Sequence, residues 1–434
     1  MTAQAPIYIG IIGFGTVGSG TYQTLRDNQA SIDRKVGRPV RVKWVADVDW
    51  QRPRQLGGDV PPALRTDNAG RILSDPEVGI VVECIGGTKP SLELVLGALR
   101  AGKNVVTSNK ELVARHGKEL FEAAAARGLD LAFEGSVGGG IPIIRPLKSC
   151  LAGNRISRIM GIVNGTTNFV LTQMAERGAE FAEALAEAQR LGYAEPDPTN
   201  DVEGFDPAFK LAILASIAFE TRVSLESIHR EGITGLAARD MANARQLGYV
   251  IKLLAIGAEA KGGLELRVHP TLLPHTHPLA AVSGPFNAIF VRGSSVGEVM
   301  FYGQGAGALP TGSAMVGDIV DVARNIVHGA TGRVACTCFE ERPARPIEEL
   351  RTRFYLRTEV ADRPGVLAAI ATVFGQEGVS LASVLQMAAT GETAEIVWLT
   401  HETQERQMRR SLARLQELPE VHRINACIRT EDQG

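Results

Sequence analysis

Residues 7–18 read IYIGIIGFGTVG: a strand pattern from Ile7 to Ile12 opens directly into Gly13, Phe14, Gly15, Thr16, Val17 and Gly18, and a helical segment follows to about Arg26. Strand, glycine turn and helix in that order are what a dinucleotide-binding unit requires. Gly13 allows the tight turn, Gly15 lets backbone approach a pyrophosphate, and Gly18 permits close helix packing, with the helix N-terminus facing the anion. The alternative is a glycine-rich turn with no ligand; its setting favours the nucleotide. A second strand, Val40 to Ala46, ends at Asp47-Val48-Asp49. An acid there accepts hydrogen bonds from adenosine ribose hydroxyls and repels a 2′-phosphate, which favours NAD over NADP.

Strand patterns recur at Ile80 to Ile85, Asn104 to Thr107 and Leu129 to Glu134, with helical stretches at Leu92 to Ala101 and Glu111 to Arg127 between them. This alternation predicts a Rossmann-type doubly wound parallel sheet over residues 1–135. Ligands of such sheets lie beyond the carboxyl ends of the strands, so the turns Gly86-Gly87-Thr88 and Ser108-Asn109-Lys110 should face the cofactor. Lys110 is then either a site residue or an ordinary exposed lysine opening a helix. Farther on, Gly303-Gln-Gly-Ala-Gly307 precedes a helical pattern from Ser313 to Val327. That helix is expected to return the chain to the nucleotide domain at about 303–330, and the glycines either break the structure or approach the nicotinamide.

Residues 136–302 read as an α+β substrate and dimerisation domain. Its entry, EGSVGGGIPIIRPL from Glu134, is too glycine-rich for a regular element, and is either a hinge or a close approach of backbone to a ligand. After the strand-like Ile156 to Val163 comes Asn164-Gly165-Thr166-Thr167-Asn168. This is either a turn with a helix cap or a pocket for an amino or carboxylate group. Strand-like patches interrupted by prolines run from Leu264 to Val291.

The stretch EPDPTNDVEGFDPAFK, Glu195 to Lys210, packs five carboxylates and one lysine ahead of the apolar segment Leu211 to Phe219. So apolar a continuation implies that part of the polar cluster is carried inside. Asp206-Pro207 reads as a helix start with Asp206 as N-cap, which puts Lys210 in the opening turn. The helix dipole and burial disfavour an ammonium there, while Asp206 and Glu195 favour it. Lys210 is a candidate proton donor, or a partner in a structural salt bridge.

With 46 basic and 48 acidic residues among 434, nothing suggests a nucleic-acid partner, and the substrate is expected to be small. No apolar run approaches the ~20 residues a membrane span needs, and the N-terminus lacks a signal pattern, so a cytoplasmic protein is expected. Five scattered cysteines, at 84, 150, 336, 338 and 427, argue against a disulfide framework and against a zinc site at the 336/338 pair. Residues 331–352 read as a linker. Beyond it, residues 353–430 spell βαββαβ, with strand patterns at Phe354 to Val360, Val379 to Met387, Ala394 to Leu399 and Ile424 to Ile428 and turns at Asp362-Arg-Pro-Gly365 and Gly391. That is a ferredoxin-like unit.

GFGTVG at Gly13, NVVTSNKELVA at Asn104, EGSVGGGIPI at Glu134, NGTTN at Asn164 and the segment Gly192 to Ala215 occur in the order found in homoserine dehydrogenases, which the chain strongly resembles over almost its whole length. The terminal unit resembles ACT domains through DRPGVLAAIA at Asp362 and VSLASVLQ at Val379. The resemblance implies reversible, NAD(P)-dependent oxidation of L-homoserine to L-aspartate 4-semialdehyde. It implies Lys210 as the proton donor beside Asp206, with Lys110 near the nicotinamide and the reacting oxygen; which lysine moves the proton stays open. Glu195 would hold the substrate amino group, among a substrate set of Asp201, Asn164, Gly165, Thr166 and Thr167. The cofactor set is the glycine turn with Asp47, Gly87, Thr88, Lys110 and Gly307. Oxygens of Glu134, Val137, Gly139 and Ile141 would bind a structural Na+. Many members place an arginine near Val48, and its absence here again favours NAD without excluding NADP. The ACT unit implies an amino-acid effector, threonine first, or a dimerisation module that has lost its ligand, and a homodimer or homotetramer is expected. An acylating semialdehyde dehydrogenase would need an activated cysteine, and Cys150 has no adjacent base. A non-catalytic amino-acid sensor would leave Lys110, Asp206 and Lys210 unexplained.

Overall fold

The computed structural model describes residues 5–51, 56, 60–386 and 392–431. The chain forms two compact units, one of Met1–Ile159, Phe209–Glu226 and Asn287–Arg342, the other of Met160–Ala208, Ser227–Phe286 and Pro343–Gly434.

In the first unit, β1 (Ile7–Ile12), β2 (Val40–Ala46), β3 (Arg65–Thr66), β4 (Val78–Glu83), β5 (Asn104–Thr107) and β6 (Leu131–Ala132) form one sheet. The order is β3-β2-β1-β4-β5-β6, and every pair is parallel. The pleat sends alternate side chains into two cores: Ile9, Ile11, Ile80, Val82 and Val106 to one face, Ile12, Val81 and Val105 to the other. Both faces are covered, which is why β1 and β4 are apolar along nearly their whole length.

Helix Ala308–His328 closes the first face with Met315, Ile319 and Val322 and crosses helix Thr16–Asp27 at a pair of glycines. A Cβ on Gly20 would lie 1.9 Å from the Ala308 carbonyl oxygen, and one on Gly312 would lie 2.6 Å from the Gly20 carbonyl carbon. The helix starts five residues before the expected Ser313, because Pro310 is accommodated in a first turn. The strand expected over Leu129 to Glu134 shortens to β6, since Glu134 opens a 3₁₀ turn.

The second unit contains a strand that the sequence reading passed over. Tyr249–Ala260 pairs antiparallel with Gly263–Pro274 without a break, from Ala260↔Gly263 to Tyr249↔Pro274. The C-terminal βαββαβ is present as Arg351–Ala361, helix Val366–Gln376, Leu381–Gln386, Thr393–Thr400, helix Glu405–Gln416 and Val421–Thr430. Met387 and the turn expected at Gly391 lie outside the described residues.

This module is not a detached bead. Val421–Thr430 pairs in parallel with Gly263–Pro274 at Thr271↔Arg429 and Leu272↔Thr430, making one sheet of the two. Buried arginines lock the seam. Arg357 grips Asp240 of helix Ala238–Gln246 through Nε and Nη2 at 2.7 and 3.0 Å, and Tyr355 Oη donates to the same carboxylate at 3.1 Å. Arg429 bridges Glu405 and Glu231 with four bonds of 2.7–2.9 Å. The segment expected to be a linker is also pinned. In the first unit Gly332 and Arg342 donate backbone N–H groups to Asp130 and the Thr221 hydroxyl, and in the second Arg345 donates to the Leu264 carbonyl.

Arg357→Met leaves the Asp240 carboxylate buried without its fork of donors. It should therefore destabilise the protein by about 3 kcal/mol or more. Chemical denaturation of the variant against the parent measures this, and a loss below about 1 kcal/mol would show that the seam does not depend on the pair.

Candidate functional site

The sheet order reverses between β1 and β4, so the turns after these two strands flank the crevice where dinucleotides bind. Gly13 has φ +92° at the tight turn. A Cβ on Gly18 would lie 2.0 Å from the Gly13 carbonyl oxygen, whereas one on Gly15 would meet nothing within 4 Å. Gly18 is therefore a packing glycine and Gly15 an open backbone surface at the N-terminus of helix Thr16–Asp27. Thr16 is exposed and Val17 half-buried beside it. Phe14 contributes no side chain to a ligand: its ring is buried against Tyr22 and Trp50. Its N–H donates to Asp47 Oδ2 at 2.8 Å, while Asp47 Oδ1 accepts from Asp49 N–H at 2.9 Å. Asp47 thus stands at the end of β2 and fastens the glycine turn. Val48 beside it is 92 % exposed.

After β4 the organiser is Glu83, which the sequence reading missed. It is fully buried and accepts from Ile85 N–H (2.8 Å), Gly86 N–H (3.3 Å), Ser91 Oγ (3.2 Å) and Thr107 Oγ1 (2.5 Å). The turn that presents Gly87 and Thr88 is shaped around that carboxylate. Asn109 joins it to the next turn: Nδ2 donates to the Gly87 carbonyl at 2.6 Å, and Oδ1 accepts from Leu112 N–H at 3.0 Å, capping helix Lys110–Ala125. Lys110 opens that helix, half-buried. The signals were an acid closing the apolar VGIVVE and an Asn just ahead of a helical pattern.

In the second unit Asn164 caps a helix, the first alternative posed for its motif, and also binds two carboxylates. Oδ1 accepts from Thr167 N–H at 2.9 Å and caps helix Gly165–Arg177, while Nδ2 donates to Asp201 Oδ1 at 2.7 Å and Asp206 Oδ2 at 2.8 Å. One side-chain amide thus orients two carboxylates. The hydroxyls of Thr166 and Thr167 are turned into the structure, donating to the Tyr193 carbonyl (2.5 Å) and to Asn164, and Asn168 is spent on the carbonyls of Val282, Gly284 and Phe286. Glu195 is exposed, and its main-chain carbonyl accepts from Gln189 Nε2 at 3.2 Å.

The helix carrying Asp206 and Lys210 runs over Phe205–Ala218. It begins two residues earlier than expected, so Asp206 lies in the first turn instead of capping it. The left-handed Gly204, φ +78°, makes the break between this helix and the preceding turn. Asp206 is buried, and Lys210, four residues on, is 8 % exposed. Helix Lys110–Ala125 meets this helix within the first unit. The Arg115 guanidinium lies 5.2 Å from the Phe209 ring centroid, next to Lys210 in sequence.

The Glu134 carboxylate is occupied by the backbone N–H groups of Ile143 (2.5 Å), Ile144 (2.8 Å) and Arg145 (2.8 Å). The Na+ expected on Glu134, Val137, Gly139 and Ile141 would have to use oxygens other than this carboxylate. Hard carbonyl oxygens suit Na+. Asp318 beside it, which binds Glu134 N–H (2.8 Å) and Arg145 (2.7 Å), is pushed up to about 7 by burial and then by the Glu134 charge. Two glycines of this loop make close backbone contacts with the 303–307 turn. Gly140 N–H donates to the Gln304 carbonyl at 3.0 Å, and a Cβ on Gly139 would lie 2.5 Å from Gly305 backbone. Gly307, φ +125°, caps helix Ala308–His328.

A glycine turn at the switch point of a parallel sheet, with two lysines on helices packed in the same unit, defines a nicotinamide-dependent oxidoreductase. The comparisons specify which. A model described as the NAD-binding domain of homoserine dehydrogenase matches residues 13–134, one described as homoserine dehydrogenase matches residues 142–320, and one for the ACT domain matches residues 354–420. The homoserine dehydrogenase of Corynebacterium glutamicum is 46 % identical over 428 residues, covering 98 % of this chain and 95 % of the relative. A crystal structure of the Thiobacillus denitrificans homoserine dehydrogenase superposes with a TM-score of 0.93 at 44 % identity, covering 99 % of each chain. A hyperthermophilic archaeal homoserine dehydrogenase in complex with NADPH matches with a TM-score of 0.62 at 28 % identity, covering 73 % of this chain and 98 % of that one. The chain belongs to the homoserine dehydrogenase family. Among the described residues no helix is long and apolar enough to cross a membrane.

Asn164→Ala removes a helix cap and the donor shared by two carboxylates. It should lower kcat/KM for homoserine at least roughly 10-fold and cost about 1 kcal/mol of stability. Steady-state kinetics and thermal unfolding on one preparation test both; unchanged kinetics would separate the clamp from the reaction.

Proposed function

We propose that L-homoserine and L-aspartate 4-semialdehyde are interconverted at the start of helix Phe205–Ala218, with Lys210 as the proton donor in the reductive direction and Lys110 as a second cation near the reacting oxygen. The observation that carries this reading is the Asn164 clamp, which holds Asp201 and Asp206 at 2.7 and 2.8 Å, with Lys210 four residues after Asp206 on the same helix. A bound nicotinamide supplies or accepts the hydride. As a carbonyl is reduced, negative charge grows on its oxygen, and a nearby ammonium both stabilises that charge and yields a proton. Asp206 precedes Lys210 by four residues on the same helix. Asp201 and the exposed Glu195 are the acids available to the substrate amino group, with the Asn164–Gly165–Thr166–Thr167 turn as the wall beside them. Because both threonine hydroxyls already donate within the fold, their part is to shape that wall.

NAD is the favoured cofactor, with NADP as the alternative. The support is the Asp47 carboxylate at the end of β2 and the apolar, exposed Val48 where a cation would be needed for a 2′-phosphate. A structural Na+ on the carbonyls of Glu134, Val137, Gly139 and Ile141 accords with their hard-oxygen chemistry. The ACT module would take an amino-acid effector, threonine first, and the assembly would be a homodimer or homotetramer in the cytoplasm.

Lys210→Ala should reduce turnover by roughly 100-fold or more while leaving the circular dichroism spectrum unchanged. Turnover within a few-fold of the parent would remove Lys210 from the chemistry. Asp47→Ala should raise KM for NAD more than KM for NADP; equal changes would leave Asp47 as a brace for the glycine turn and nothing more.

A further inference from the structure

Cys336 and Cys338 line a cavity inside the first unit together with Phe121, Lys148, Ser216 and Arg222. Both cysteines are half-buried. Cys336 Sγ accepts from Arg222 Nη2 at 3.6 Å, and Cys338 Sγ donates to the Ser216 carbonyl at 3.9 Å. Two residues along a chain reach at most about 7 Å between Cα atoms, the upper limit for a disulfide. Phe339 N–H bonded to the Thr337 carbonyl at 3.0 Å holds the segment in a tight turn.

Lys148 and Arg222 are the only charged side chains among the residues lining this cavity, and both are cations. The hydrogen bond from Cys338, and then the positive charges of Arg222 and Lys148, bring Cys336 down to about 5 against the opposing effect of burial. Cys338 is pushed up by the Cys336 sulfur and by burial. The surroundings thus favour the thiolate at Cys336 and the protonated thiol at Cys338. Burial pushes up the other internal thiols, Cys84 and Cys427, and makes them inert.

We propose that Cys336 and Cys338 form an oxidisable pair, in which Cys336 attacks a hydroperoxide and Cys338 closes a disulfide that alters the helix carrying Lys210. In the first step the Cys336 thiolate attacks the terminal oxygen of the hydroperoxide. The O–O bond breaks, an S–O bond forms, and the alkoxide or hydroxide leaving group takes a proton from water. In the second, the Cys338 sulfur attacks the sulfenic acid. The S–S bond forms and the S–O bond breaks, and hydroxide leaves with the Cys338 proton as water. The two thiols lose two electrons and the peroxide gains them. The disulfide deprives Arg222 of its negative partner and takes Cys338 away from Ser216, which lies in the C-terminal half of helix Phe205–Ala218. This last link rests on the role proposed for Lys210; the chemistry of the pair does not.

Full-length reduced protein is treated with hydrogen peroxide, blocked with N-ethylmaleimide and mapped by mass spectrometry. The peptide holding both cysteines should lose two hydrogens. Cys338→Ser should stop at a Cys336 sulfenic acid trapped by dimedone, and Cys336→Ser should leave Cys338 unmodified. Iodoacetamide labelling of Cys336 should fall less than about threefold between pH 7.5 and 6.0, where an ordinary thiol falls roughly 30-fold. Oxidation of the exposed Cys150 while the pair stays reduced would overturn the site. Fully disulfide-bonded protein should turn homoserine over at least twofold more slowly, reversibly with dithiothreitol, and Cys336→Ser should be insensitive. Unchanged turnover in that fully oxidised sample would overturn the connection to the helix.

Discussion

Glu83 has no access to water, and its four donors at the end of β4 show the constraint that governs this molecule: a carboxylate taken inside must be surrounded by fixed N–H and O–H groups. The same condition recurs wherever a loop bears on function. Asp47 gathers Phe14 N–H and so sets the glycine turn, Glu134 gathers three successive N–H groups after the glycine-rich loop, and Asp201 and Asp206 share one amide of Asn164. Loops with few apolar contacts are thereby given single conformations.

Helix Phe205–Ala218 carries contacts along its length. Its first turns hold Asp206 and Lys210, its flank takes the Arg115–Phe209 contact, and its last turns accept from the segment of Cys338. An almost entirely apolar continuation keeps it buried, so its polar start is rigid and its far end reports on whatever the neighbouring segment does. The ACT module is bound to the second unit just as firmly. A shared sheet and the Arg357–Asp240 and Arg429–Glu231 pairs make it part of that unit's framework. The module and the rest of the second unit thus share one continuous sheet.

Much of this was legible in the chain. The period-2 strands, the glycine turn and the βαββαβ order follow from local preferences, which depend on neighbours a few residues away. Asn164 was legible as a helix cap for the same reason. What escaped was long-range. Tyr249–Ala260 is apolar enough for a helix or a strand, and only its antiparallel partner decides. The glycines at 139 and 140 fitted a hinge as well as a contact until Gln304 and Gly305 came up against them. Residues 331–352, with their prolines and charges, looked like a linker because their acceptors lie far away in sequence.

By itself, then, the sequence determined the class of each element, the place of the nucleotide turn and the residue types available for hydride-transfer chemistry. Short-range periodicity and backbone preferences suffice for those. Only the tertiary structure decided which carboxylates are held and by which donors, that the C-terminal module shares a sheet with the second unit, and that Cys336 and Cys338 face two cations. Those outcomes depend on distances between residues tens to hundreds of positions apart, which no local pattern encodes.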